Sequence, residues 1–250
     1  MSIKIENVVT LSAPQWEAVI RGARNPMNSW HLSDSASCAE REKCDGCPMW
    51  DENGSCIDSF TNMSDYIIGP KDHKLMMQLR NAGSDHRKYM RMIMVWCDIT
   101  APLYFWKEFD TYKVGSVANS CSTMHKIHAK KFERDDFSYE LLIDEVVGKY
   151  PSGEDENFVY YARPLGILDK TIDALNVCRE KYVETKERKY WDQMIQLLPS
   201  SYNQRRTVML NYEVLANMYH ARKNHKLAEW RELCQWIESL PYSEIITGEV

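Results

Sequence analysis

The chain has 250 residues, enough to bury the core of one domain, or of one domain with a small insert. Its composition is ordinary for a globular protein, with 44% hydrophobic and 27% charged residues and a formal net charge of −5. This balance argues against a general binder of DNA or RNA, which usually carries a basic excess, but it allows a small anionic ligand held by a few basic groups. No apolar run reaches the length of a membrane span, and the N-terminus lacks a signal-peptide pattern. We therefore expect a cytoplasmic protein with no membrane partner.

The first third of the chain predicts a strand, two helices and an intervening loop. The strand is KIENVV at residues 4–9, and the first helix starts at Ser12. Residues 26–37 resemble a loop. The second helix starts at Lys71 and ends at Gly83, because glycine commonly follows a helix C-terminus.

The middle of the chain predicts a central strand over residues 87–100, where apolar residues fall on both faces. Pro102 then opens a short aromatic helix. The segment after it, residues 115–122, contains Gly115 and four small polar residues and predicts a turn-rich loop.

The last third predicts a long helix from Leu168 to Leu198, solvated in its middle. A strand over residues 202–210 follows, and then a helix that carries Asn211 and Arg222. A final amphipathic helix places four apolar residues on one stripe, namely Leu227, Trp230, Cys234 and Ile237.

Four of the eight cysteines are clustered with the spacing Cys-x5-Cys-x2-Cys-x8-Cys, namely Cys38, Cys44, Cys47 and Cys56. Without an export signal, such cysteines are better interpreted as thiols or metal ligands than as disulfides. The CxxC pair presents two thiolates to one ion, and the other two cysteines can complete a tetrahedral site. This arrangement predicts structural zinc. Cys-Pro after CxxC also occurs near iron–sulfur clusters, and unliganded cysteines are a third interpretation. The other four cysteines have apolar neighbours and are expected in the core.

The spacing of Asn211 and Arg222 suggests a ligand site. Eleven residues of helix return to within about 20° of the same face, so Arg222 ends an otherwise apolar stripe. A guanidinium there needs a partner, and a phosphate or a planar base would supply one. The alternative is an internal ion pair with Glu229.

Residues 101–123 and 198–230 resemble the flavin-dependent thymidylate synthases (ThyX). In the second stretch the family pattern is matched without a gap by Leu198-Pro199, Arg205, Asn211, Leu215 and Arg222. In the first, with one inserted residue, it is matched by Ala101-Pro102, Ser116, Asn119 and Ser122. The resemblance implies an α/β or α+β fold with a mainly antiparallel sheet flanked by helices. It also implies a homo-oligomer, since that family builds its pockets between the subunits of a tetramer. We assign residues 1–250 to a single ThyX-like domain with a Cys-rich metal-binding insertion at residues 34–60.

Several family arginines are absent. The family's Arg-His-Arg is Thr111-Tyr112-Lys113 here, and three further arginines are replaced by Met124, Ile195 and Glu213. Each lost guanidinium removes a charge-assisted phosphate contact worth about 1.5–3 kcal/mol. The family's ligands in the family's pose are therefore not expected.

The remaining polar and aromatic groups still predict a site for a nucleotide-type ligand, formed by Tyr112, Lys113, Ser116, Asn119, Ser122, Arg205, Asn211 and Arg222. The first functional hypothesis is a nucleotide binder that has lost synthase chemistry and sequesters a nucleotide signal, since the chain also resembles ThyX-related proteins of bacteriophages. The second is a divergent FAD-dependent enzyme acting on a pyrimidine nucleotide. The third is a metal-clipped interaction protein. No catalytic residue can be assigned.

Overall fold

The structure is a computed structural model that describes residues 3–37, 66–151 and 159–248. In its first two described stretches the elements are, in chain order, β1 (Lys4–Val9), α1 (Ala13–Arg24), β2 (Ala36–Ser37), β3 (Tyr66–Ile67), α2 (Pro70–Asn81), β4 (Met94–Pro102), α3 (Leu103–Phe109), β5 (Ser116–Ser120), α4 (Thr123–Lys126) and β6 (Gly148–Pro151). In the third they are β7 (Val159–Ala162), α5 (Pro164–Thr185), α6 (Arg188–Leu197), β8 (Asn203–Asn211), α7 (Tyr212–Arg222), α8 (Ala228–Glu238) and α9 (Glu244–Thr247).

The described strands form one four-stranded sheet and two small hairpin-like sheets. The large sheet has the order β1-β4-β8-β5. β2 pairs antiparallel with β3, and β6 pairs antiparallel with β7. Mixed helices and antiparallel sheet confirm the predicted fold class. Within the described ranges, every helix is too short or too polar to span a bilayer.

The local signals at the first two helices are confirmed. Ser12 is the N-cap of α1, where its backbone N–H donates to Gln15 Oε1 at 2.8 Å. α2 ends just before Gly83, which has a φ of +107°. The predicted loop over residues 26–37 contains short 3-10 turns at Asn25–Met27 and Trp30–Leu32.

The strand predicted over residues 87–100 is wrong in its first half. Arg87–Met92 is a 3-10 helix, and β4 starts at Met94. Tyr89 and Met90 are both buried, and the Tyr89 hydroxyl donates to the Met76 carbonyl at 2.8 Å. A tight turn also buries adjacent apolar residues, so hydrophobicity alone does not separate it from a strand.

The loop predicted over residues 115–122 is also partly wrong, because Ser116–Ser120 forms β5. This strand lies at one edge of the sheet, and four of its five residues are exposed. An exposed edge strand of small polar residues is held by backbone pairing and carries no apolar alternation.

The long helix predicted from Leu168 to Leu198 is two helices, α5 and α6. Lys186 breaks it with a left-handed backbone, φ +59°, and caps α5 by donating its N–H to the Tyr182 carbonyl. The Thr185 hydroxyl accepts the Glu187 N–H at 3.2 Å, which stabilises the turn.

The chain divides into two compact units. Unit 1 comprises Met1–Lys4, Ile99–Asp110 and Ser120–Arg206, and unit 2 comprises Ile5–Asp98, Thr111–Asn119 and Thr207–Val250. One hydrophobic cluster of unit 1 consists of Ile127, Phe132, Phe137, Leu168, Ile172, Leu175 and Met194. In unit 2 the buried Trp16 ring meets the rings of Tyr212 and Tyr242 edge-on, with centroids 6.4 and 5.3 Å away.

Candidate functional site

The helix that carries Arg222 starts with a side-chain cap. Asn211 is the last residue of β8 and the N-cap of α7, and its Oδ1 accepts the Val214 N–H at 2.9 Å. Its side chain therefore fixes the start of the helix, and Arg222 is the last helical residue.

The Arg222 guanidinium lies against two aromatic rings of unit 2. Its Nε donates to the Tyr112 hydroxyl at 3.0 Å. Its Cζ lies 4.8 Å from the centroid of the Trp230 ring and 5.7 Å from that of Tyr112. Trp230 is fully buried, whereas Tyr112 and Arg222 are partly exposed. The two cation–π contacts and the hydrogen bond to Tyr112 thus orient the guanidinium plane of a partly exposed residue.

The tight turn that contains Tyr112 is hydrogen-bonded to the start of α7. The Gly115 carbonyl accepts the Asn211 N–H at 3.1 Å, and Gly115 has a φ of +87°. A Cβ at this position would overlap the Asn211 side-chain amide. The Ser116 hydroxyl donates to the Tyr112 carbonyl and closes the turn. The positive φ and the neighbouring Asn211 side chain together favour glycine at this position.

A chain of hydrogen bonds through the turn at Gly115 therefore links four of the predicted site residues of unit 2, from the start of α7 to its end: Asn211, Ser116, Tyr112 and Arg222. We call these four and Trp230 the Arg222 cluster. Lys113 lies in the same turn with an exposed side chain, and Asn119 is exposed on β5. The sequence placed Trp230 on the apolar stripe of the final helix. Its buried indole is also one of the rings against Arg222.

The other two predicted site residues, Ser122 and Arg205, belong to unit 1. The Ser122 hydroxyl accepts the His125 N–H at 3.0 Å and caps the short helix α4. The Arg205 carbonyl accepts the Cys121 N–H at 3.0 Å, and the Arg205 residue is exposed. The Ser122 side chain thus caps a helix, whereas the Arg205 contact involves only its backbone.

Sequence reasoning treated Glu213 only as a lost arginine, and it missed the partners of this residue. Arg87 Nε lies 3.3 Å from the Glu213 carboxylate, and Arg91 Nε and Nη2 also donate to it. Burial by itself raises the pKa of Glu213, but the hydrogen bonds and charges of Arg91 and Arg87 outweigh it, and the net pKa is lowered. The available signal was the pair of arginines four residues apart in the segment RKYMR.

The aromatic run after Pro102 contributes mainly to the core of unit 1, although its Tyr104 is only half-buried. Phe105 and Trp106 are buried, and the Trp106 indole N–H donates to the carbonyls of Ala101 and Gln204. Arg206, considered from sequence as an available cation, is engaged as well. It lies 4.2 Å from the Trp106 ring centroid and 2.6 Å from Asp110.

The predicted metal ligands Cys38, Cys44, Cys47 and Cys56 lie outside the described residues. Elsewhere, in the part of the chain that the structure describes, no three His, Cys, Asp or Glu side chains are grouped as a metal site. Cys97 and Cys234 are buried as predicted, and burial raises their pKa values to about 12 and about 11. The core prediction is wrong for Cys121, which is exposed beside the edge strand.

No protein-family model matches the sequence, and no curated protein is significantly similar to it. Solved structures, in contrast, match along almost the whole chain. A flavin-dependent thymidylate synthase ThyX from Helicobacter pylori, complexed with FAD and dUMP, is 15% identical, with a TM-score of 0.55 over 98% of this chain and 96% of that one. A second structure of the H. pylori enzyme with FAD and dUMP is also 15% identical, with a TM-score of 0.57 over 98% and 95%. A UMP/dUMP methylase, PolB from Streptomyces cacaoi, bound with 5-Br dUMP, is 12% identical, with a TM-score of 0.50 over 98% and 95%. The chain therefore has the fold of the flavin-dependent thymidylate synthases.

Proposed function

We propose that the protein binds a nucleotide-type ligand at the Arg222 cluster and has lost synthase chemistry. The observation that carries the proposal is the partly exposed Arg222 guanidinium, held by the Tyr112 hydroxyl and flanked by the rings of Tyr112 and Trp230. Such a group recognises phosphate through its N–H donors, and the Tyr112 ring offers a face for a base. Solved structures of the same fold are complexes with dUMP or 5-Br dUMP, which supports this class of ligand.

The replaced arginines support the loss of the family's chemistry. Ile195 packs against the hydrophobic cluster of unit 1, and Met124 is half exposed with an apolar side chain. Glu213 carries a negative charge that two arginines already neutralise. None of these three side chains supplies a positive charge to a phosphate.

We place this binder in the cytoplasm of a bacterial host, as a bacteriophage protein that sequesters a nucleotide signal and acts as a homo-oligomer. Support for this context comes from the sequence resemblance. Size-exclusion chromatography with light scattering tests the oligomer, and a single-subunit mass at micromolar concentration would contradict it.

The alternative is a divergent FAD-dependent enzyme acting on a pyrimidine nucleotide. It is favoured by the FAD in both H. pylori structures of this fold. The absorption spectrum of the purified protein separates the two proposals. A flavin band that persists through dialysis favours the enzyme, whereas a colourless protein that copurifies with a nucleotide favours the binder.

Thermal denaturation with a panel of ribo- and deoxyribonucleotides tests the binder directly. A ligand at one hundred times its Kd stabilises the folded state by about 2.7 kcal/mol. Arg222→Ala is expected to remove this gain and to leave the fold intact. The matched control is Arg188→Ala, because Arg188 is an exposed arginine 5.8 Å from the Trp191 ring centroid in unit 1. Unchanged affinity in Arg222→Ala would exclude this residue from the site.

We also infer that the cysteine quartet binds zinc, with an iron–sulfur cluster as the alternative. The spacing of the cysteines supports this, together with the pairing of Ser37 with Tyr66, which brings the two ends of the intervening segment side by side. Metal analysis of the purified protein, with Cys47→Ser as the variant, tests it. One zinc per chain that is lost in the variant is the expected result, and brown colour with iron would identify a cluster.

A further inference from the structure

Unit 1 contains a groove of about 730 Å³, and none of the predicted site residues is among the described residues that line it. One wall is the β6–β7 hairpin, and the other is the first half of α5, with Leu197 at the end of α6. This volume falls in the range of about 300–1,000 Å³ that is typical of small-molecule sites. The groove is therefore large enough for a ligand of one or two rings.

The hairpin wall is aromatic and exposed. Tyr150 and Tyr160 are direct cross-strand partners, and their rings stack with centroids 5.5 Å apart at 23°. Tyr161, also on this wall, is 57% exposed. Three accessible tyrosines therefore border the groove, and their rings can contact a planar ligand.

The helix wall supplies the charge. Arg163 lies 2.7 Å from the Asp144 carboxylate, so its charge is already balanced. The Thr171 hydroxyl donates to the Ile167 carbonyl one turn earlier, which also engages that group. Lys170 is the remaining cation that lines the groove, and the described lining residues include no aspartate or glutamate. Among the described lining residues, the charge that lacks a counter-charge is therefore positive.

We propose that this groove binds a small planar aromatic anion, with the ring against the tyrosines and the acidic group on Lys170. Stacking on an aromatic side chain and a charge-assisted contact to an ammonium group are complementary, since each engages a different part of one such ligand. The described residues that line the groove all belong to unit 1, whereas the Arg222 cluster belongs to unit 2. The two proposals can therefore be tested independently of each other.

The test uses 8-anilinonaphthalene-1-sulfonate, a fluorescent aromatic anion, titrated into the full-length protein. We expect saturable binding of one dye per chain and at least a tenfold loss of affinity in Lys170→Gln. The matched control is Lys181→Gln on the same helix, roughly 16 Å further along, where the exposed Lys181 pairs with Glu184. Arg222→Ala is also expected to keep the wild-type dye affinity, which distinguishes this groove from the nucleotide site.

A second variant fills the groove without touching its charge. Gly166 lies on the groove wall in the first turn of α5, and a Cβ there would make only an ordinary contact of 3.5 Å with Arg163 Cβ. Gly166→Leu is therefore expected to block the dye at an unchanged or raised Tm, because leucine favours a helix over glycine. Dye binding that does not saturate, or that survives both variants, would overturn the proposal. A wild-type oligomer that Gly166→Leu dissociates, with no saturable dye binding, would assign the groove to a second copy of the chain and overturn it equally.

Discussion

Two arginines of unit 2 show how the same side chain serves different purposes. Arg24 is 4% exposed, and its guanidinium donates to the Asp72 carboxylate, the Ser29 carbonyl and the Leu32 carbonyl. Arg222 is partly exposed, and its guanidinium lies against the rings of Tyr112 and Trp230. Of the two residues, Arg222 is therefore the more accessible to a ligand from solvent.

Arg24 belongs to a buried hydrogen-bond network centred on the Asp72 carboxylate. The Asp72 carboxylate accepts hydrogen bonds from Arg24, the hydroxyls of Ser33 and Ser35, and two backbone N–H groups. Burial raises the pKa of Asp72, but the hydrogen bonds from Ser35, Ser33 and Arg24 outweigh it and the net pKa is lowered. This network connects α1, α2 and the segment just before β2, so its role is structural.

The largest expected effect is that of Asp72→Ala, which removes the carboxylate from the buried pair. The variant leaves Arg24 buried without its counter-charge, and such a loss costs about 3–5 kcal/mol. Urea denaturation measures the change in the free energy of unfolding. Asp72→Asn keeps an oxygen acceptor and should lose less. A loss below about 1 kcal/mol in Asp72→Ala would mean that solvent reaches Arg24 and that the contrast with Arg222 is not real.

The next largest effect is expected for Gly115→Ala. This substitution strains the turn that places Tyr112 against Arg222. A positive φ costs a residue other than glycine about 1–3 kcal/mol, and the added Cβ would also overlap the Asn211 amide. Gly83→Ala is the matched control, because Gly83 has a φ of +107° and nothing within 4 Å of an added Cβ. We expect Gly115→Ala to lower both Tm and nucleotide affinity and Gly83→Ala to lower Tm alone. Equal losses of Tm in the two variants would show that the close approach to Asn211 has no energetic consequence.

The sequence predicts those parts of the fold that have local signals. Ser12 with Gln15 marks the start of α1, and Gly83 marks the end of α2, because caps and left-handed turns restrict the residue type. The break at Lys186 had no such mark, since a lysine rarely adopts a positive φ. The edge strand β5 lacks apolar alternation, and its pairing depends on a neighbouring strand far away in the chain.

The candidate site was predictable only in part, for the same reason. Arg222 was identified because helical periodicity and the ThyX pattern both lead to it. The Trp230 ring beside it comes from the following helix, and the arginine partners of Glu213 lie 126 and 122 residues earlier in the chain. Such contacts depend on tertiary packing, which single-sequence patterns do not record.

Glu213 is the intermediate case between the two arginines, because its carboxylate is buried while its partner Arg91 is half exposed. Arg91 and Arg87 lower the pKa of Glu213 below the ordinary value of 4.5. The carboxylate is therefore more stable relative to the protonated acid in the folded state than in the unfolded state. This contribution is complete above about pH 4.5 and is lost as the pH falls through the lower folded-state pKa. Glu213→Gln should cost about 2 kcal/mol at pH 7, since charge-assisted hydrogen bonds contribute about 1.5–3 kcal/mol and exposure reduces that value.

The measurement for Glu213 is the free energy of unfolding between pH 3 and pH 7. The wild type should lose more stability on acidification than Glu213→Gln, while Asp72 continues to contribute acid sensitivity to both proteins. Parallel curves for the two proteins would show that the pairs with Arg87 and Arg91 contribute nothing to stability.

The smallest expected effect on stability is that of Arg222→Ala. Two cation–π contacts and a hydrogen bond to a phenol at a partly exposed site contribute about 1 kcal/mol in total, because solvent screens each of them. Arg222→Lys keeps the charge but loses the planar fork, so it should retain stability and bind a nucleotide more weakly than the wild type. Urea denaturation without ligand and thermal shift with ligand are measured on both variants. A loss of 3 kcal/mol or more in Arg222→Ala would place this arginine in the same structural class as Arg24, and its exposure would then have no bearing on ligand binding.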